Sequence, residues 1–327
     1  MEVPCARNAR TMRTIRFSRQ QAIRIVAAFT CVYLFWGSAF VAIRYSVQTV
    51  HPAFVAGIRY LIAGLILLTF LALRGYSLRL KSADMAKVTG LGLLMFTCNT
   101  VLLSYGGKVL SAGLTALLIS TIPLFITLLE AVLSGRGTAT TLSWAGAVTG
   151  FLGIALLLGQ GIHVGMLPQG AIVAACGLLI AAFAWALGSV LLTRMSFAAP
   201  LLVCTCWQML IGGAVDMLIG VGVGGFRSSR WSLGTWLSLV FLAVGCTLLG
   251  YTSYSFLLRR VSITSVATYA YINPLVAILL GWLFLDEPLV ASQSLGLVIV
   301  LGSVAVVVSN SAPASRVSAK GLEASRP

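Results

Sequence analysis

The sequence predicts an all-α integral membrane protein, with ten transmembrane helices in two inverted five-helix repeats and both termini cytoplasmic. Three observations carry this prediction. Of the 327 residues, 59% are apolar and 9% charged, whereas about a quarter of a soluble domain is charged. The apolar residues fall in runs of about 20, the length that crosses a hydrocarbon core about 30 Å thick. The chain also resembles itself when slid by 149 or 151 positions. Together these exclude a disordered chain and a soluble enzyme, which must keep its surface wet. The net charge of +15 does not indicate a nucleic-acid partner, because too little other polarity accompanies it to solvate a domain.

Bilayer thickness places the helices at about 25–45, 53–73, 84–106, 112–134, 142–161, 168–193, 200–221, 232–256, 262–285 and 290–309. Turn and charge signals separate them: His51-Pro52, Arg74-Gly75, Ser134-Gly135-Arg136-Gly137, Ala199-Pro200 and Glu287-Pro288. No run of alternating ten-residue segments suggests a barrel. An arm (1–24) precedes the first helix and a tail (311–327) follows the last.

Orientation follows from the basic residues. Arg7, Arg10, Arg13, Arg16, Arg19 and Arg24 precede the first helix. Arg74, Arg79, Lys81, Lys87, Arg136, Arg194, Arg259, Arg260, Arg316, Lys320 and Arg326 fall on the same side. Arg44, Lys108, Arg227 and Arg230 fall on the other, so seventeen positions against four put both termini in the cytoplasm. The basic arm reads as an orientation signal near lipid headgroups. The first apolar run is long and lacks a small-residue cleavage pattern, so a signal peptide is not expected.

The self-similarity divides the helices into a first repeat (25–161) and a second (162–310). Leu114-Thr115-Ala116 through Pro123-Leu124 overlay Ser265-Val266-Ala267 through Pro274-Leu275, and Trp36 overlays Trp185. Five helices per copy force the second copy to enter from the opposite face, the architecture from which many secondary transporters build alternating access. Pro123 and Pro274 stand mid-helix at matching places. A mid-helix Pro frees a carbonyl that needs a partner, which makes a paired interruption a pointer to a central site, or else a pair of packing kinks.

Trp36-Gly37-Ser38-Ala39-Phe40-Val41-Ala42-Ile43, Arg59, and Ser111-Ala112-Gly113 followed by Pro123 form an ordered pattern. In the second copy Trp185-Ala186-Leu187-Gly188, Asn273-Pro274-Leu275-Val276 and Gly281-Trp282-Leu283-Phe284-Leu285-Asp286-Glu287-Pro288 follow it. Over about residues 25–310 the chain resembles the EamA-type repeats of the drug/metabolite transporter superfamily. The first copy departs from the family, since Gly135 and Arg136 occupy the places of Asp286 and Glu287. The resemblance implies a multi-pass inner-membrane transporter, most often an exporter of amino acids, metabolites or toxic compounds.

The candidate substrate-cavity residues are Trp36, Arg59, Asn99, Pro123, Trp185, Tyr251, Tyr269, Asn273 and Pro274. Aromatics with a few directed hydrogen bonds suit a zwitterion or amphipathic molecule. Arg59, roughly 5 Å from the midplane at about 1.5 Å per residue, either binds an anionic group or is structural. Glu130 and Asp216 are the candidate proton-coupling carboxylates, or else interfacial anchors or partners of a neighbouring Arg. Cysteines without a CxxC pair and two histidines offer no metal, haem or redox site, so no cofactor and no catalytic residue is expected. The expected partners are the bilayer and a small-molecule substrate. Gly146, Gly150 and Gly153, with Gly296 and Gly302, allow close helix approach within the chain or in a homodimer.

The sequence thus points to an exporter of a small polar or amphipathic metabolite, an amino acid or related compound, working by alternating access. The alternatives are an importer or exchanger of a purine, nucleotide-sugar-like molecule or cationic drug, and a membrane-embedded lipid-modifying enzyme.

Overall fold

The computed structural model describes residues 19–134, 144–146, 148–150, 152–153, 168–288, 298–299, 301–303 and 305–306. Most of the fifth and tenth expected spans, residues 1–18 of the arm, the C-terminal tail, Arg136, His163 and Gly296 lie outside the described residues, and Arg19–Arg24, expected before the first helix, form its start. No strand occurs among the described residues. Seven helices there are long and apolar enough to cross a membrane: α1 (Arg19–Val47), α2 (Pro52–Leu73), α3 (Ser82–Val109), α4 (Ala112–Leu133), α5 (Ala171–Arg194), α6 (Leu201–Gly222) and α7 (Leu233–Leu258). The eighth, α8 (Tyr269–Leu285), follows a short turn of helix at Ile263–Val266.

Local chemistry sets the helix ends. Pro52 opens α2, where its missing N–H is not needed. The Ser111 hydroxyl accepts from the Leu114 amide at 3.2 Å to cap α4, and Ser232 does the same for Thr235 at 3.1 Å on α7. Apolar side chains face outward along the helices, Leu73, Val173 and Leu233 among them. The buried polar side chains face inward, where some find partners and others do not.

The most extensive crossing joins α2 to α6. A Cβ on Gly64 would stand 2.8 Å from the Leu210 side chain, and one on Gly213 would stand 3.1 Å from that of Leu61. Leu61 and Gly64 are the residues that overlay Leu210 and Gly213 in the sequence, so the contact is reciprocal between the two copies. Around this crossing α1 packs on α8, α3 on α5, and the later half of α4 on α5. Gly150 closely approaches Ser303, so at this point the fifth and tenth segments meet within the chain.

Two features depart from regular helix. The interior of α3 widens into a π-helical stretch at Leu93–Cys98, and α7 does the same at Leu242–Tyr251. These stretches begin 149 positions apart, at equivalent places in the two copies. The helix breaks, by contrast, do not match, which corrects the expectation drawn from Pro123 and Pro274. In α4 the break is at Ser120–Thr121 and Pro123 sits in the first turn of the next helix, where it needs no donor. Before α8 the break is at Ala267–Thr268, and Pro274 lies inside the helix. The breaks are therefore about one turn out of register, with hydroxyls supplying the local bonds: Ser120 to Leu117 O, Thr121 to Leu118 O, and Thr268 to Ser265 O.

Residues expected on the outer side contact one another. The Arg230 amide donates to Thr49 O at 2.7 Å, the His51 amide to Ser229 Oγ at 3.0 Å, and Arg44 to Lys108 O at 2.7 Å. Residues expected on the cytoplasmic side do likewise. Lys87 donates to Ser196 O at 2.8 Å, and Trp207 Nε1 to Leu78 O at 2.9 Å.

Gly213→Val wedges a branched side chain into the α2–α6 crossing and costs on the order of 1–3 kcal/mol. Gly90→Ala, with open space around its Cβ position, is neutral or stabilising by up to about 1 kcal/mol. Thermal unfolding in detergent separates the two, and equal midpoints would contradict the packing described.

Candidate functional site

A cavity of about 70 Å³ lies among α1, α2, α3, α4, α5, α7 and α8. At roughly 10–15 Å³ per water it holds on the order of five. Trp36, Arg59, Asn99, Trp185, Tyr251, Tyr269 and Asn273, each singled out from the sequence, line it. Pro123 and Pro274 do not line it; both are buried in neighbouring packing.

Aromatic rings form the wall. Trp36 meets Trp185 edge-on with centroids 5.2 Å apart, Tyr269 edge-on at 5.0 Å, and the tilted ring of Tyr254 at 4.9 Å. Since Trp36 and Trp185 overlay in the repeat, the ring cluster is centred on the relation between the copies. Tyr60, Phe96 and Tyr251 continue it, with spacings of 4.5 and 4.8 Å. The π-helical stretches present part of this wall. Phe96 belongs to the first, while Cys246, Thr247 and Tyr251 belong to the second. Trp36 Nε1 donates to Cys246 O at 2.9 Å. Gly250 leaves room for the indole, because a Cβ there would collide with Trp36 Nε1.

Several polar groups here are locked in place. Asn99 Nδ2 donates to Ala181 O at 2.8 Å, Tyr251 donates to Gln208 Oε1 at 2.8 Å, and Tyr254 donates to Ser189 Oγ at 2.6 Å. Arg59 Nη2 donates to Tyr60 Oη at 2.8 Å, and that hydroxyl is bonded in turn to Thr100. The Arg59 guanidinium also lies 4.6 Å from the Tyr60 ring centroid. Others are buried without a hydrogen-bond partner: Arg59 Nε and Nη1, Thr247 Oγ1 and Asn273 Oδ1. Trp185 Nε1 and Tyr269 Oη lie near one another without a bond of good geometry. Arg59 is the one charged side chain lining the cavity among the described residues.

The two candidate carboxylates part company. Glu130 is paired with Arg194 at 3.1 Å, with about a third of each side chain exposed. Asp216 is completely buried on α6, and neither of its oxygens has a hydrogen-bond partner by strict geometry. Thr97 and the Arg59 guanidinium are the polar groups that act on it.

Sequence reasoning missed four contributors. Tyr60, Phe96 and Thr247 line the cavity from positions that look like ordinary core residues in the sequence. Glu287 acts at the end of the molecule that carries Arg44 and Lys108. Its carboxylate oxygens each accept from the Ala112 amide at 3.0 Å, and one stands 3.4 Å from Arg44 Nε. It therefore ties the end of α8 to the starts of α4 and the end of α1. The motif Asp286-Glu287-Pro288 was the only signal that could have marked it. Nearby, His51 accepts or donates a bond at Nε2 with Tyr105 Oη at 3.1 Å. Burial, with Lys108 close by, holds the His51 imidazole below its ordinary pKa.

The model of the EamA-like transporter family matches residues 23–159 and again 172–309. An inner membrane transporter of Escherichia coli K12, YedA, is 32% identical over 289 residues, covering 88% of this chain and 92% of its own. The transporter YdfC of Bacillus subtilis is 28% identical over 290 residues, covering 88% and 91%. A crystal structure at 21% identity superposes with a TM-score of 0.64 over 86% of this chain and 95% of the other, a likeness of fold alone.

Glu287→Ala removes two charge-assisted acceptors from the first turn of α4 and is expected to cost about 1.5–3 kcal/mol. Glu287→Gln keeps one acceptor and falls between that variant and the parent. Detergent melting curves in which all three coincide would remove the tie.

Proposed function

Since the chain belongs to the EamA-like transporter family and is a multi-pass protein of the inner membrane, we propose that it exports a small zwitterionic or amphipathic metabolite, an amino acid or related compound, by alternating access. The observation that carries the substrate class is the set of unpartnered polar groups in the aromatic cavity. Arg59 offers two unpartnered nitrogens, Nε and Nη1, whose N–H groups suit a carboxylate. Asn273 Oδ1 and Thr247 Oγ1 offer acceptors for an ammonium or hydroxyl group. The rings of Trp36, Trp185 and Tyr269 suit a cation or an apolar side chain.

These groups also weigh against the alternatives. A bare cationic drug fits the rings but meets Arg59. A nucleotide-sugar-like anion needs more cations than the one lining the cavity. Transport requires the cavity to open by turns to each side, and on this reading two inverted repeats rock about the α2–α6 crossing. On this reading the Glu287 tie is broken whenever the outer side opens. Export, rather than import, rests on the family resemblance. Asp216 is the candidate for proton coupling, since it is buried beside the Arg59 that would hold the substrate.

Counterflow in proteoliposomes tests this reading with amino-acid, purine and cationic-drug panels. Saturable exchange of an amino-acid class solute is expected, with Arg59→Gln and Trp36→Ala each lowering it at least tenfold. Absence of counterflow across all three panels would sink the proposal. Under an imposed pH gradient, Asp216→Asn is expected to abolish gradient-driven uptake while leaving counterflow intact. Equal gradient dependence in parent and variant would remove Asp216 from coupling.

A further inference from the structure

A second cavity, of about 490 Å³, lies where α1, α6 and α7 come together at the end of the molecule that carries Lys87 and Arg194. It is separate from the aromatic cavity and shares no residue with it. Ala28, Leu202 and Phe256 contribute to an apolar wall, and Arg24, Arg259 and Arg260 stand along it. We propose that this cleft binds an anionic phospholipid, its phosphate between the three arginines and an acyl chain along the wall.

Charge is the first argument. Three guanidinium groups, one from α1 and two from the turn that follows α7, stand along one cleft, and among the described residues none of the three is ion-paired. The nearby carboxylate, Asp84, is already engaged. It accepts from the amides of Ala198 and Ala199 at 2.9 and 3.2 Å and pairs with Lys87 at 3.6 Å. Arg260 lies 4.0 Å from the centroid of the Phe256 ring, and Arg259 lies 5.9 Å from that of Phe197. Stacking on a ring fixes the direction of a guanidinium and leaves its N–H edge free for phosphate oxygens.

The helix termini point the same way. Leu201 and Leu202 form the first turn of the 22-residue helix α6 and line the cleft. Their amides belong to the group with no partner inside the helix, at its positive end. The apolar wall decides the source of the phosphate. A soluble anion gains nothing from Ala28, Leu202 and Phe256, whereas an acyl chain is covered by them. A basic pocket between transmembrane helices at the level of the headgroups is the arrangement that an anionic lipid fits.

The test uses the full chain, delipidated in neutral detergent and titrated with phosphatidylglycerol or phosphatidylcholine of identical acyl chains, with bound lipid counted by native mass spectrometry. The parent is expected to retain phosphatidylglycerol about tenfold better. R259Q/R260Q brings retention down to the phosphatidylcholine level, while R230Q, at the opposite end, leaves the preference unchanged. Should the double variant be lost in purification, R24Q on α1 carries the same expectation in lesser degree. Equal retention of the two lipids in the parent would overturn the proposal. So would a preference that survives in R259Q/R260Q or, if that variant is lost, in R24Q. Displacement of phosphatidylglycerol by equimolar glycerol 3-phosphate would assign the cleft to a soluble anion and overturn it equally.

Discussion

The close crossing of α2 and α6 fixes where everything else in the molecule can stand. Gly64 admits Leu210, and Gly213 admits Leu61, so two backbones approach without intervening side chains. In hydrocarbon there is no hydrophobic drive between helices, and such close packing is a main source of association. The crossing also determines the chemistry beside it. Arg59 on α2 and Asp216 on α6 are both buried beside this crossing and do not form an ion pair with one another. The third helix is drawn in at the same level, since Phe96 lies against Gly212.

Inside this frame the polar groups divide into two sets. Asn99, Tyr251 and Tyr254 have their bonds satisfied by fixed partners on other helices. They act as walls. Arg59 Nε and Nη1, Asn273 Oδ1 and Thr247 Oγ1 have no partner, and each unmade bond in a buried place is costly. Groups left open in this way are stabilised by whatever enters with complementary atoms. The same distinction separates the carboxylates: Glu130 already has Arg194, whereas Asp216 has no hydrogen bond of good geometry.

The two copies are alike in packing and unlike in chemistry. Trp36 and Trp185 meet at the centre, but only the first has its N–H firmly bonded, to Cys246 O. The π-helical stretches begin at equivalent places, while the breaks at Ser120–Thr121 and Ala267–Thr268 are a turn apart. Glu287 accepts from the start of α4 at one end, and the corresponding residue of the first copy is Arg136, a cation that cannot accept from amides.

The sequence by itself determined the class of protein and the family, because hydropathy, charge sidedness and the repeat are properties of the chain read in one dimension. It also put seven cavity-lining residues on a short roll of candidates, since polar and aromatic side chains stand out in apolar helices. Only the tertiary structure decided which of them share a space. Pro123 and Pro274 matched in the sequence yet stand outside the cavity: Pro123 falls in the first turn of a helix, where it frees no carbonyl, and Pro274 is packed inside α8. Tyr60, Phe96 and Thr247 gave no sign of their place, because direction around a helix depends on its neighbours and on where its pitch widens. Glu287 reaches Ala112 across 175 positions of sequence. A bond over that separation is set by the packing of whole helices, which no local pattern encodes.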